Sequence, residues 1–74
     1  MKSIYDQEYR DLIGRLVARR KSVGMTQKDL AEKLGWPQPA VSKVETFVRR
    51  IDVVETMRIC EALGWTLVEL TKRN

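Results

Sequence analysis

The stretch TQKDLAEKLGWPQPAVSKVE, from Thr26 to Glu45, holds two helical patterns with almost no chain between them. Leu30, Ala31 and Leu34 share one face of the first, and Val41 and Val44 share one face of the second. Gly35 sits in the break, where a sharp turn requires a positive φ that glycine adopts without steric cost. Ala31 is small where another backbone must approach closely, and Val41 is the β-branched residue that presses on it. A small residue, a glycine four positions on and an apolar residue six after that describe two helices locked at a steep angle by a short turn. Leu30, Leu34, Trp36 and Val44 complete the apolar set, with Trp36 expected to plug the gap between the helices.

Helical periodicity continues on both sides, and no strand pattern appears. Tyr5, Tyr9, Leu12, Ile13, Leu16 and Val17 recur at helical spacing, which predicts a first helix from about Asp6 to Ser22, ended by Gly24. Thr26, with Asp29 three residues on, makes a variant of the capping box, and the carboxylate suits the positive end of the second helix. The third helix begins at Pro37 or Gln38, since proline fits a first turn whose N–H groups lack intrahelical acceptors. Its stripe of Val41 and Val44 continues to Phe47 or Val48. A fourth helix, about Asp52 to Leu63, opens on an aspartate cap, buries Val53, Met57, Cys60 and Leu63, and closes at Gly64. Thr66 caps a last short helix that buries Leu67 and Leu70. The reading is one all-α domain of five helices, without repeats, linkers or low-complexity segments.

Composition narrows the function. A chain of 74 residues lies near the lower limit for a domain that folds without staples or partners. Cys60 is the single cysteine, which excludes an intrachain disulfide framework and suits a reducing cytosol. Its place on an apolar stripe makes it a small core hydrophobe rather than a redox switch. Histidine is absent, so a His-dependent triad or a zinc site is excluded. There is no glycine-rich loop either, and neither an enzyme nor a cofactor is expected. No apolar run reaches the ~20 residues of a membrane span and no signal-peptide core is present, so the expected location is the cytoplasm.

The formal charge of +4 is modest, but its distribution is uneven. Arg15, Arg19, Arg20, Lys21 and Lys28 fall between Leu12 and Lys28 with no acid among them, and Arg49 and Arg50 follow the central stretch. Charge alone leaves two readings open, a solvated helix face or a contact with a polyanion.

The segments TQKDLAEKLG, QPAVSKVE and EALGWTLVEL resemble the helix-turn-helix of the XRE family, the phage-repressor class that includes Cro and the lambda repressor. The resemblance covers about Leu12 to Leu70. Residues 1–11 are then an N-terminal extension of the first helix and 71–74 a polar tail. It implies a compact five-helix lambda-repressor-like domain that binds double-stranded DNA and regulates transcription.

The resemblance also implies residue roles. The third helix becomes the recognition helix, set in the major groove with its N-terminal residues at the base edges. Gln38 falls at the first such position, and its amide matches adenine N6 and N7. Pro39 and Ala40 leave room for close approach and suit a thymine methyl, while Ser42 and Lys43 lie a turn further on, with guanine O6 or N7 in reach of Lys43. The second helix opens at Gln27 toward a phosphate, with Lys28 adding charge beside it. Arg49 and Arg50 are expected to clamp the DNA backbone, and Arg19, Arg20 and Lys21 to flank the same surface. Family members commonly dimerise through the far end of the domain, which points to Trp65 and Val68 as exposed dimer contacts and to a palindromic site.

Two departures from the family pattern stand out. Where members usually carry Glu-Arg-Gly or Glu-Asn-Gly after the recognition helix, this chain reads Glu45-Thr46-Phe47, which predicts a longer or differently turned helix end. Pro37 replaces the usual Ser or Thr cap and forfeits a bond typically worth ~1 kcal/mol. The functional expectation is a repressor that acts as a homodimer by occupying its operator. The alternative is an antitoxin that binds a toxin protein as well as its own promoter.

Overall fold

The computed structural model describes residues 6–72. Five helices follow one another: α1 Asp6–Ser22, α2 Gln27–Leu34, α3 Gln38–Glu45, α4 Val53–Ala62 and α5 Leu67–Thr71. No strand occurs among the described residues. Tyr5, assigned by spacing to the first apolar stripe, lies outside them, as do the rest of residues 1–5 and the end of the polar tail.

Local chemistry sets most of the boundaries. Thr26 Oγ1 accepts from the Asp29 N–H at 3.0 Å, and Asp29 returns a bond from the Thr26 N–H at 2.9 Å. The same reciprocal box opens α4 through Asp52 and Glu55 and α5 through Thr66 and Glu69. Such boxes satisfy N–H groups that the first turn leaves without acceptors. At the other ends, α1, α2 and α4 each stop where a glycine takes the left-handed conformation and the next residue's N–H reaches back to a carbonyl of the last turn.

The core draws on every helix. Ile13 and Leu16 of α1 meet Leu30, Ala31 and Leu34 of α2, Val41 and Val44 of α3, Ile59 and Cys60 of α4, Leu63 and Leu70. Trp36 packs against this cluster half-buried. Burial pushes the Cys60 thiol up, with Glu69 adding to the effect, so the thiolate is disfavoured at neutral pH.

The face that α4 buries differs from the expected one. Val53 and Met57 are exposed, at 63% and 47%, while Thr56 and Ile59 are buried beside Cys60. The segment offers two apolar stripes roughly one residue apart in rotation. Thr56 reads as polar in sequence, yet its hydroxyl donates to the Asp52 carbonyl at 2.7 Å, which lets it enter the core satisfied. Phe47 and Val48 likewise do not extend the buried stripe of α3; both are exposed.

One ion pair ties the helices together beneath the surface. Arg20 lies 7% exposed near the end of α1. Its Nε and Nη2 donate to the two Glu45 carboxylate oxygens at 2.7 and 2.9 Å, and its Nη1 donates to the Met25 carbonyl at 2.8 Å. Gln27 Nε2 adds a bond to Glu45 Oε1 at 2.9 Å. The end of α1, the turn after it, the start of α2 and the end of α3 therefore share one network. Arg20, expected on the DNA-flanking surface, is instead an internal tie, because a planar fork meeting a carboxylate is the pairing that survives burial.

Two predictions come from these observations. Glu45→Ala leaves Arg20 buried without its partner and should cost about 3–5 kcal/mol in urea unfolding, against a total of ~4–11 kcal/mol for a domain of this size. Replacing both partners, as Arg20→Met with Glu45→Leu, should recover most of that loss. The second concerns acid. Asp29 and Glu55 are held below the usual carboxylate range, each mainly by the backbone N–H it accepts, from Thr26 and Asp52, and Glu55 also by the Arg49 guanidinium. A depressed folded pKa gives stability that is complete above the ordinary carboxylate range and is lost as pH falls through the lowered value. The melting temperature should hold steady down to about pH 5 and drop below it. The Asp29→Asn, Glu55→Gln double variant should melt lower at neutral pH but lose less on acidification.

Candidate nucleic-acid interface

Helix α3 buries Val41 and Val44 and turns its other side outward. At 3.6 residues per turn, Gln38, Ser42 and Thr46 form one row and Pro39 and Lys43 the row beside it. Gln38, Pro39, Lys43 and Thr46 are exposed, Ser42 is half-buried, and Ala40 is half-buried at the edge nearer the core. The side chains of Gln38, Ser42 and Lys43 make no hydrogen bond to any described residue. Thr46 was not foreseen on this face. It stands one turn beyond Ser42, and its hydroxyl donates to the Ser42 carbonyl at 2.8 Å, keeping an oxygen lone pair outward. Its spacing from Gln38 and Ser42 was the signal in the sequence.

The end of α3 keeps the turn that a glycine would give. Phe47 occupies the left-handed conformation at φ 66°. The Val48 N–H reaches the Lys43 carbonyl at 2.8 Å and the Phe47 N–H reaches the Val44 carbonyl at 3.2 Å, the same closing pattern seen at the three glycines. The expectation of a longer or differently turned helix is thus corrected: Phe47 accepts the backbone conformation despite its Cβ. The Arg10 guanidinium lies over its ring at 4.5 Å.

The basic residues divide sharply. Arg15 Nη1 donates to the Leu70 carbonyl at 3.1 Å and Arg19 Nε to the Leu63 carbonyl at 3.0 Å, so both cover carbonyls left open at helix ends. Arg19 also lies over the Trp65 ring at 5.3 Å. Arg49 donates to Glu55 at 2.6 Å and stacks on Trp36 at 4.7 Å, with its Nη1 buried and unbonded. Gln27 spends its amide on Glu45, which leaves the main-chain N–H groups of the first turn of α2 as its outward donors. Lys21, Lys28 and Lys43 remain exposed and outside any ion pair among the described residues. Arg50 is intermediate in commitment: its side chain is 64% exposed, rests over Tyr9 at 4.2 Å and lies 3.7 Å from Asp6.

At the far end, Val68 is 74% exposed, as expected, but Trp65 is half-buried and packed against the core, contrary to the exposure expected for it. The Arg19 guanidinium on its ring and the Gly64 turn before it fold the indole inward. A shallow groove of ≈ 210 Å³ lined by Met57, Glu61, Trp65, Thr66 and Leu67 runs beside it. No group of His, Cys, Asp and Glu able to hold a metal ion occurs among the described residues. No helix among the described residues is long and apolar enough to cross a membrane.

The strain at the end of α3 can be measured. Phe47→Gly and Phe47→Ala both lose the ring under Arg10, but only glycine relieves a left-handed cost of ~1 kcal/mol. Phe47→Gly should therefore melt about 4–8 °C above Phe47→Ala. Equal melting temperatures would mean that the turn carries no strain.

Comparison with known proteins agrees with the helical fold. The family model described as helix-turn-helix matches residues 16–70. A solved structure described as an XRE-family like protein from Pseudomonas syringae pv. tomato str. DC3000 is similar at 42% sequence identity, with a TM-score of 0.87 over 90% of this chain and 82% of that one. No curated protein matches.

Proposed function

The chain belongs to the XRE-type helix-turn-helix family of DNA-binding transcription regulators, and from that membership we propose that it represses transcription as a homodimer by occupying a specific operator. The observation that carries the reading is the outward side of α3. Polar side chains at Gln38, Ser42 and Lys43 have no partner among the described residues, whereas arginines of α1 and the Gln27 amide are bound internally. Groups left free on a helix of this fold are the ones available to base edges.

In this reading Gln38 pairs with adenine, Lys43 reaches guanine, Ser42 bonds either, and Pro39 with Ala40 packs on a thymine methyl. Lys28, the first turn of α2 at Gln27, and Arg50 contact phosphates, while Arg49, with its Nη2 on Glu55 and its Nη1 buried, reaches the DNA backbone only by releasing Glu55. A second copy of the chain would meet the first around Val68, the outer edge of Trp65 and the neighbouring Met57. Exposed apolar side chains beside a shallow groove support that choice. Repression by occupancy requires nothing beyond this binding face.

One binding-site selection, run on the parent, Gln38→Ala and Arg50→Ala, tests the whole reading. The parent should select two inverted half-sites whose centres lie about 34–36 Å apart, or a multiple of that. Gln38→Ala should lose ~1–3 kcal/mol on the selected site and relax one base pair in each half. Arg50→Ala should weaken all sequences alike and make the dependence of log K on log salt shallower by about one unit for each phosphate that it leaves unneutralised. A single unrepeated site would exclude the dimer, and an unchanged consensus for Gln38→Ala would exclude that residue as a reader.

A further inference from the structure

The first turns of α1 precede residues 16–70, the part of the chain that matches the family, yet they fasten the loop between α3 and α4. The Asp6 carboxylate stands between two guanidiniums. Its Oδ2 accepts from Arg10 Nε at 3.1 Å, and its Oδ1 lies 3.7 Å from Arg50 Nη2. Each guanidinium lies over a ring, Arg10 on Phe47 at 4.5 Å and Arg50 on Tyr9 at 4.2 Å. The Tyr9 hydroxyl accepts the Ile51 N–H at 3.3 Å. Both ends of the segment 47–51 are thereby tied to α1.

The two kinds of contact respond differently to an approaching phosphate. A ring takes the face of a guanidinium and leaves its N–H edge free, whereas a carboxylate takes the edge that a phosphate would use. The Arg50–Asp6 separation of 3.7 Å is too long for a hydrogen bond, and the Arg50 side chain is 64% exposed. Such a pair is weak and easily exchanged.

We propose that Tyr9 and Asp6 are positioning residues for Arg50: the Tyr9 ring holds the guanidinium over the α3–α4 loop, while Asp6 occupies its edge in the free protein and yields it to a DNA phosphate. This rests on Arg50 being a phosphate contact. Asp6 then lowers DNA affinity, and it does so most at low salt, where exposed charges act at the greatest range.

Because phosphate contacts do not depend on sequence, a duplex of random sequence is a sufficient probe. Binding is measured at 50 and 200 mM salt for the parent, Asp6→Asn, Arg50→Ala and the double variant, with melting temperatures recorded for each. Asp6→Asn should tighten binding roughly 1.5- to 5-fold at 50 mM and less at 200 mM. In the Arg50→Ala background it should have no effect. Tyr9→Phe, which keeps the ring, should bind as the parent does, and Tyr9→Leu should bind more weakly. If Arg50→Ala binds as tightly as the parent, the phosphate assignment itself fails. If Arg50→Ala is weaker but Asp6→Asn is unchanged, the assignment stands and the role of Asp6 is overturned. An equal gain in both backgrounds would assign the effect to the general field of the missing carboxylate and would also overturn it.

Discussion

The Arg20–Glu45 pair is the constraint on which the rest of the arrangement depends. A buried guanidinium is tolerable only if its donors are met, and here three of its nitrogens find oxygens from two different segments. The requirement fixes where α3 ends relative to α1 and where the Met25 turn must run. Gln27, by joining the same carboxylate, extends the constraint to the start of α2. The apolar core could tolerate small shifts of α3 along its axis, since valine packs against several neighbours. A bidentate pair cannot, so the outward row of α3 inherits a fixed register from a contact on its opposite side.

Most of the fold was legible because its signals are local. Thr26, Asp52 and Thr66 with an acid three residues on, and Gly24, Gly35 and Gly64 at the stops, mark boundaries without reference to the rest of the chain. What failed was rotation and partnership. Sequence could not say that Thr56 would spend its hydroxyl on Asp52 and enter the core in place of Val53 and Met57. Nor could it separate one arginine from another. Arg15, Arg19, Arg20 and Arg50 are equivalent as charges, and only the tertiary position of a carbonyl, a carboxylate or a ring decides which stays available. The exposed row of α3 was readable for the opposite reason: periodicity alone places Gln38, Ser42 and Lys43 away from Val41 and Val44.

The use of arginine has a common logic. The guanidinium is weakly hydrated and planar, so it can lie flat on Trp36, Trp65, Tyr9 or Phe47 while its edge meets an oxygen. A chain this short has few residues with which to cover its helix ends. Long basic side chains do two tasks at once, closing carbonyls and shielding aromatic surface, and the lysines with Arg50 and Arg58 are left to carry the open positive field. The basic character of the chain is therefore in large part architectural.

Helix α3 has neither of the local signals that bound its neighbours: Pro37 offers no side-chain cap, and Phe47 stands where the stops of α1, α2 and α4 have glycine. Eight residues without those signals do not persist alone in water. The order of this helix thus rests on its surroundings rather than on its own code: Val41 and Val44 in the core and Glu45 beneath Arg20. Its amide hydrogens would then exchange only as those contacts open, so loosening the Arg20–Glu45 tie would speed exchange in α3 more than in the capped helices beside it. Order in this segment is a property of the whole fold.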